Sequence, residues 1–144
     1  MRSAVFVRGA VGLVLLMAAN IAGGSAGAST PQPHIVVTPA VGLRNGEIVK
    51  VRGTGFKPKD SVFVVECLAT AKGQAQCNIS TVVAVTITAK GLLPLTKFKV
   101  RTGKVGSGTC GTTVKNLRAC AVSVGNMKGK DSTSALITFR RPTR

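Results

Sequence analysis

Four cysteines, Cys67, Cys77, Cys110 and Cys120, constrain this chain more than any other feature, because they fall as two pairs with the same ten-residue separation. An even cysteine count in an oxidising compartment reads as two disulfides. The N-terminus supplies the compartment. Arg2 and Arg8 bracket a positive segment, an apolar run of 12 residues follows from Ala10 to Ile21, and Ala26-Gly27-Ala28 matches a small-residue cleavage site. That run is well short of the ~20 residues needed to cross a bilayer. Residues 1–28 therefore read as a cleaved signal peptide, and 29–144 as one exported domain. The chain itself allows three disulfide pairings. Pairing near neighbours would close two short loops, each contributing up to ~3 kcal/mol. Zinc would need closer cysteine spacings or helper histidines, and His34 is the only histidine.

The exported part carries 18 Lys and Arg against four acids, Glu47, Asp60, Glu66 and Asp131, a formal charge of +14. Such a balance favours anionic surfaces and polymers as neighbours. Long stripes of helical period are absent from this part, and short β-rich segments recur at the spacing of a sandwich or barrel. Seven strands are predicted: His34–Ala40, Glu47–Gly53, Ser61–Leu68, Ile79–Thr88, Leu92–Arg101, Arg118–Val124 and Ser134–Phe139. Asn45-Gly46 predicts a type I′ hairpin turn before the second strand.

These strands are of two kinds. Glu47–Gly53 sets Val49 and Val51 against Lys50 and Arg52, and Thr96–Arg101 sets Phe98 and Val100 against Lys97, Lys99 and Arg101; each has one buried and one wet face. By contrast Val62–Val65 and Val82–Val85 are apolar on both faces, and Ala119–Val122 nearly so. A sheet with an apolar outer face must be covered or used, and a concave cleft for an apolar ligand is one use.

Those residues resemble a known family. Val36–Val51, with Thr38-Pro39, Gly42-Leu43 and Gly46, followed by Gly53-Thr-Gly55, is similar to the opening of the neocarzinostatin family of enediyne-antibiotic apoproteins. So are Glu66-Cys67 with Cys77-Asn78, the pair Cys110 and Cys120 after Gly108-Thr109, and the final Ala135–Phe139. The resemblance covers about residues 34–139. It implies an all-β, seven-stranded immunoglobulin-like β-sandwich with two local disulfides, Cys67–Cys77 and Cys110–Cys120. It also implies a non-enzymatic protein that stores a hydrophobic enediyne chromophore, non-covalently, in a cleft floored by the first disulfide; the released chromophore is what damages DNA. The cleft positions carried over are Phe63, Val65, Cys67, Ala69, Ala75, Cys77, Val82, Ala121, Ser123 and Gly125. The chain departs from the family in having no Trp or Tyr, with Ala69 and Val82 where members carry a Trp and a Phe. The glycine-rich Arg101–Gly108 replaces a longer loop, and members tend to be acidic where this chain is basic.

The remaining chemistry points away from catalysis. His34 has no nucleophile–acid motif around it, the four acids form no pair supported by spacing, and Gly103–Gly108 lacks a phosphate-loop signature. In an immunoglobulin-like sandwich the second and fifth strands are neighbours, so Lys50, Arg52, Lys97, Lys99 and Arg101 would form a basic comb on one outer face. Anionic cell-envelope polymers or lipids are the partners expected for such a face outside the cell. Nucleic acid fits less well without stacking aromatics or a groove-reading helix. The expected protein is a secreted monomer, in contact with the cell wall if the basic face is used. No metal is expected, and no cofactor beyond a chromophore of the family's type.

Overall fold

Along His34–Thr38 (β1) and Ile48–Thr54 (β3), buried and exposed residues alternate, so Ile35, Val37, Val49 and Val51 go inward and Val36, Lys50 and Arg52 outward. This period of two is the pattern of a strand with one face on a core. The computed structural model describes residues 30–143. The signal-peptide reading, residues 1–28, lies outside them. The other strands are β2 (Val41–Leu43), β4 (Ser61–Leu68), β5 (Val83–Thr86), β6 (Leu93–Lys99), β7 (Gly103–Val105), β8 (Gly108–Cys110), β9 (Cys120–Gly125), β10 (Thr133–Leu136) and β11 (Thr138–Phe139). Three short 3-10 turns, Gln74–Gln76, Ile79–Thr81 and Val114–Asn116, are the only helical segments among the described residues.

Two antiparallel sheets face each other. One has the order β1-β3-β6, the other β10-β9-β4-β5. Their inner faces supply Val49, Val51 and Phe98 from the first sheet and Val62, Val64, Val122 and Val124 from the second, all at most 1% exposed. Burial of such side chains is worth roughly 1.5–3 kcal/mol each and dominates the stability of a sandwich. Two smaller pairings complete the fold, a parallel β2–β11 contact and the β7–β8 hairpin. Both cysteine pairs are local disulfides, Cys67–Cys77 and Cys110–Cys120.

The strand boundaries differ from the seven-strand expectation where tertiary bonding overrides pattern. Ser134–Phe139 is not one strand: β10 pairs with β9, then Ile137 and Thr138 donate to the carbonyls of Cys120 and Ala40, and the chain crosses to join β2 as β11. Ile79–Thr88 opens with a 3-10 turn, leaving only Val83–Thr86 as strand. Asn45-Gly46 is a turn, with Glu47 N–H donating to the Arg44 carbonyl, but only Gly46 has positive φ (78°). A type I′ turn needs both central residues there, so this is a type II turn. It joins β2 to β3, which lie in different sheets, and Gly46 and Glu47 bond instead to Val100.

Gly111, next to Cys110, shows how tightly the second disulfide is packed. Its φ is 65°, and a Cβ there would meet Thr102 Cγ2 at 2.6 Å and the Phe139 ring at 2.7 Å. The ring is itself 1% exposed and cannot retreat. Gly111→Ala is therefore expected to cost about 2–4 kcal/mol, from a strained backbone plus overpacking, measured as a lower urea midpoint at unchanged slope.

Candidate functional site

β4 fixes the site by its parity. Val62, Val64 and Glu66 point into the core, so Phe63, Val65 and Cys67 point out of the sandwich. Register sets Gly125, Ser123 and Ala121 of β9 beside those three in turn. Small residues on β9 leave the larger β4 side chains standing above a shallow floor.

Two chain segments raise walls around that floor. The Cys67–Cys77 disulfide pulls the stretch from Ala71 to Val82 over the sheet, and Asn78 N–H donates to the Glu66 carbonyl at 2.7 Å to fix its depth. On the other side the β9–β10 connection is built around Asn126. Its Oδ1 accepts the N–H groups of Lys128 and Lys130, both at 3.1 Å, and its Nδ2 donates to Asp60 Oδ2 at 2.9 Å. That amide first, then the Ser61 N–H and the nearby Lys57 and Lys128 charges, hold the Asp60 carboxyl below its ordinary value of 3.8 against the opposing effect of desolvation. Asp131 Oδ2 accepts Lys57 N–H at 2.6 Å and ties the loop back across the sheet.

The result is an open cleft of about 610 Å³. Phe63, Val65, Cys67, Cys77, Val82, Ser123 and Gly125 line it. Of the other three cleft positions expected from sequence, Ala69 and Ala75 are exposed and Ala121 is buried, and none lines the cleft. Alternation ends at Leu68, after which Ala69 N–H donates to Ala119 and the chain turns; Ala75 sits on the Gln74–Gln76 turn. Among the residues the sequence reading missed are Ile79 and Met127, each 69% exposed, and Lys72, the one charged residue among the described lining residues. A large apolar side chain isolated in a polar loop, as Met127 is, was the signal available.

The opposite face of the sandwich is basic. Lys50 stands directly across from Lys97, Ile48 across from Lys99, and Val36 across from Arg52. Arg101 lies past the end of β6, and its backbone N–H is committed to Glu66 Oε2 at 2.9 Å. His34 is exposed on the same outer face of β1, opposite Thr54.

Among the described residues Glu66 is the one buried charged residue, fully enclosed, and its Oε1 has no hydrogen-bond partner. Burial pushes its carboxyl up to about 7, against the opposing pull of the Arg101 N–H and guanidinium. It lies within 4.8 Å of the sulfurs of Cys110 and Cys120. Those sulfurs are bonded to each other, so the trio is no thiolate metal site.

The chain matches the neocarzinostatin family over residues 35–139. It is 31% identical over 112 residues to macromomycin of Streptomyces macromomyceticus, covering 74% of this chain and 76% of that one. It is 30% identical over 132 residues to the antitumor antibiotic C-1027 apoprotein of Streptomyces globisporus, covering 89% and 90%. The solved structure of macromomycin superposes with a TM-score of 0.57 at 30% identity, over 74% of this chain and 98% of that one. Apokedarcidin gives 0.53 at 28% identity, over 75% and 98%.

Proposed function

The chain belongs to the neocarzinostatin family, and we propose that it is a secreted, non-enzymatic carrier that holds a hydrophobic small molecule in the cleft on the outer face of β4 and β9. The mature carrier is the single domain 29–144, and it acts by burial alone. Family members are non-enzymatic chromophore carriers, which makes an enediyne-type chromophore the first ligand to seek. The observation that carries the reading is the cleft itself: an apolar floor of Phe63, Val65 and a disulfide, walled by Ile79, Val82 and Met127. An unpartnered apolar surface of this kind gains from covering.

Phe63 is the one aromatic residue among the described lining residues, so it offers a flat ring system a single stacking face. Flexible aliphatic and thioether side chains around it suit an irregular apolar body.

The test is absorbance and mass spectrometry on native, unheated secreted protein, together with titration of the fold by 8-anilinonaphthalene-1-sulfonate. A bound ligand at a hundredfold excess over its Kd stabilises by about 2.7 kcal/mol, on the order of 10 °C in Tm for a domain this size. Phe63→Ala is expected to abolish that shift while lowering the unliganded Tm less than truncation of a core phenylalanine would, because Phe63 is only partly buried. A protein with no co-purifying ligand, whose Tm no apolar probe raises, would overturn the reading.

A further inference from the structure

Carriage of a ligand in the cleft leaves the outer face of β1-β3-β6 without a use. Its outward positions form three rows. Val36 and Arg52 share the first, with Leu95 of β6 alongside; Thr38, Lys50 and Lys97 the second; Ile48 and Lys99 the third. All four cations are exposed, and Val36, Ile48 and Leu95 are 48%, 54% and 53% exposed.

The charge arrangement is uncompensated. Like charges directly opposite across two strands destabilise a sheet, and Lys50 faces Lys97 in register. None of the chain's four acids is on this face to relieve them. Glu47 accepts Arg44 N–H in the preceding turn, Asp60 and Asp131 hold the loop at the far end of the cleft, and Glu66 is buried in the core. The face is therefore a concentrated positive field of the kind that seeks an anionic partner.

The aliphatic residues decide which partner. A soluble polyanion would meet the lysines but leave Val36, Ile48 and Leu95 wet. The headgroup boundary of a bilayer accepts both, burying apolar side chains while anionic lipids pair with the cations. We propose that this face docks the protein on membranes rich in anionic lipid. Docked there, the sandwich holds its cleft on the opposite side, open to solvent. The proposal stands on the first sheet alone and is independent of what the cleft binds.

Each cation near such a surface multiplies binding about fivefold, so four together account for roughly several hundredfold at low salt, and screening weakens this as salt rises. The experiment is co-sedimentation of the secreted protein with equimolar phosphatidylglycerol–phosphatidylcholine vesicles, with pure phosphatidylcholine vesicles and soluble polyphosphate as comparison arms. The face variant carries Lys50→Gln, Arg52→Gln, Lys97→Gln and Lys99→Gln. A control variant removes the same charge elsewhere, through Lys57→Gln, Lys59→Gln, Lys128→Gln and Lys130→Gln. A third carries Val36→Thr, Ile48→Thr and Leu95→Thr. Wild type is expected to pellet with the anionic vesicles only and to be released by salt. The face variant should lose most of that binding and the control variant much less. The threonine variant should bind anionic vesicles roughly tenfold more weakly yet hold polyphosphate as wild type does. Vesicle binding absent in wild type, or lost equally in the face and control variants, would overturn the proposal. So would a threonine variant that keeps full vesicle binding, which would mark the face as a polyanion site. Substitution is confined to exposed side chains, and a Tm close to wild type for each variant verifies the fold.

Discussion

Glu66→Gln is expected to flatten the pH dependence of stability between about pH 4.5 and 7, and to make the protein more stable than wild type above that window. In the unfolded chain the carboxyl titrates near 4.5; in the folded protein burial raises this to about 7. Between those values the folded state keeps a proton that the unfolded state has released. Stability therefore falls as pH rises through the window, and above it the folded protein carries the full cost of a buried carboxylate. A shift of that size corresponds to about 3 kcal/mol. Below about pH 4.5 both states are protonated and the penalty vanishes.

The glutamine is neutral throughout. Its carbonyl can keep the bond from Arg101 N–H, now accepted by Oε2 at 2.9 Å. Its amide nitrogen would occupy the place of Oε1, which has no partner, and an unsatisfied buried group costs about 1–3 kcal/mol. The two curves should therefore cross: the variant below wild type in acid and above it at alkaline pH, by about 1–2 kcal/mol at each end. Urea midpoints across the window measure this. Parallel curves would show that the carboxyl is hydrated and ordinary. Asp60 does not confuse the result, because its pKa is lowered and its contribution is lost only below its ordinary 3.8.

Glu66 also shows how much of this protein was legible in its sequence. The span Ser61–Leu68 was readable to the residue, because its apolar, β-branched run lies between the turn residues Pro58–Asp60 and Ala69–Thr70. Its parity was equally readable: with Phe63 and Val65 facing the cleft, residue 66 must share the core side with Val62 and Val64. The motif Glu66-Cys67 marked the family while that consequence for the acid went unused. The basic rows were legible in part, since charged and apolar residues alternate over Val49–Arg52 of β3 and Lys97–Lys99 of β6, while the outward Ile48 and Leu95 break that alternation.

What pattern could not supply was long-range bonding. Ser134–Phe139 reads as one strand because nothing local marks Ile137 as a crossing point; its N–H is taken by Cys120, far away in sequence. The cleft walls failed for the same reason. Ile79 and Met127 come from irregular segments held in place by a disulfide and by Asn126, and neither anchor leaves a periodic signature. Ala69 was placed by extending a strand's alternation beyond the point where the strand stops, and Ala75 by carrying over the disulfide loop that holds Cys77.

The two disulfides are expected to differ in what they hold. Each spans ten residues, so loop closure alone assigns them the same value, about 3 kcal/mol. Their surroundings are unequal. Cys110 and Cys120 are wholly buried, beside Gly111, the Phe139 ring and the Glu66 carboxyl. Cys67 is buried too, but it lies outside the core cluster, and its partner Cys77 is only half-buried; both form part of the cleft floor. The double variant Cys110→Ala, Cys120→Ala therefore adds a cavity to the lost cross-link, and should cost about 4–5 kcal/mol in total. For a domain with a typical stability of about 5–15 kcal/mol, that is enough to populate the unfolded state at physiological temperature. Cys67→Ala, Cys77→Ala should cost about 3 kcal/mol and leave the core intact, but it frees the wall from Ala71 to Val82. Its distinctive loss is in the cleft: binding of 8-anilinonaphthalene-1-sulfonate should fall while near-UV dichroism of the phenylalanines in the core persists. Equal costs for the two pairs would mean that the core around Glu66 relaxes freely into the space the sulfurs leave. Retained probe binding without Cys67–Cys77 would mean that the Asn78–Glu66 backbone bond alone is enough to hold the wall.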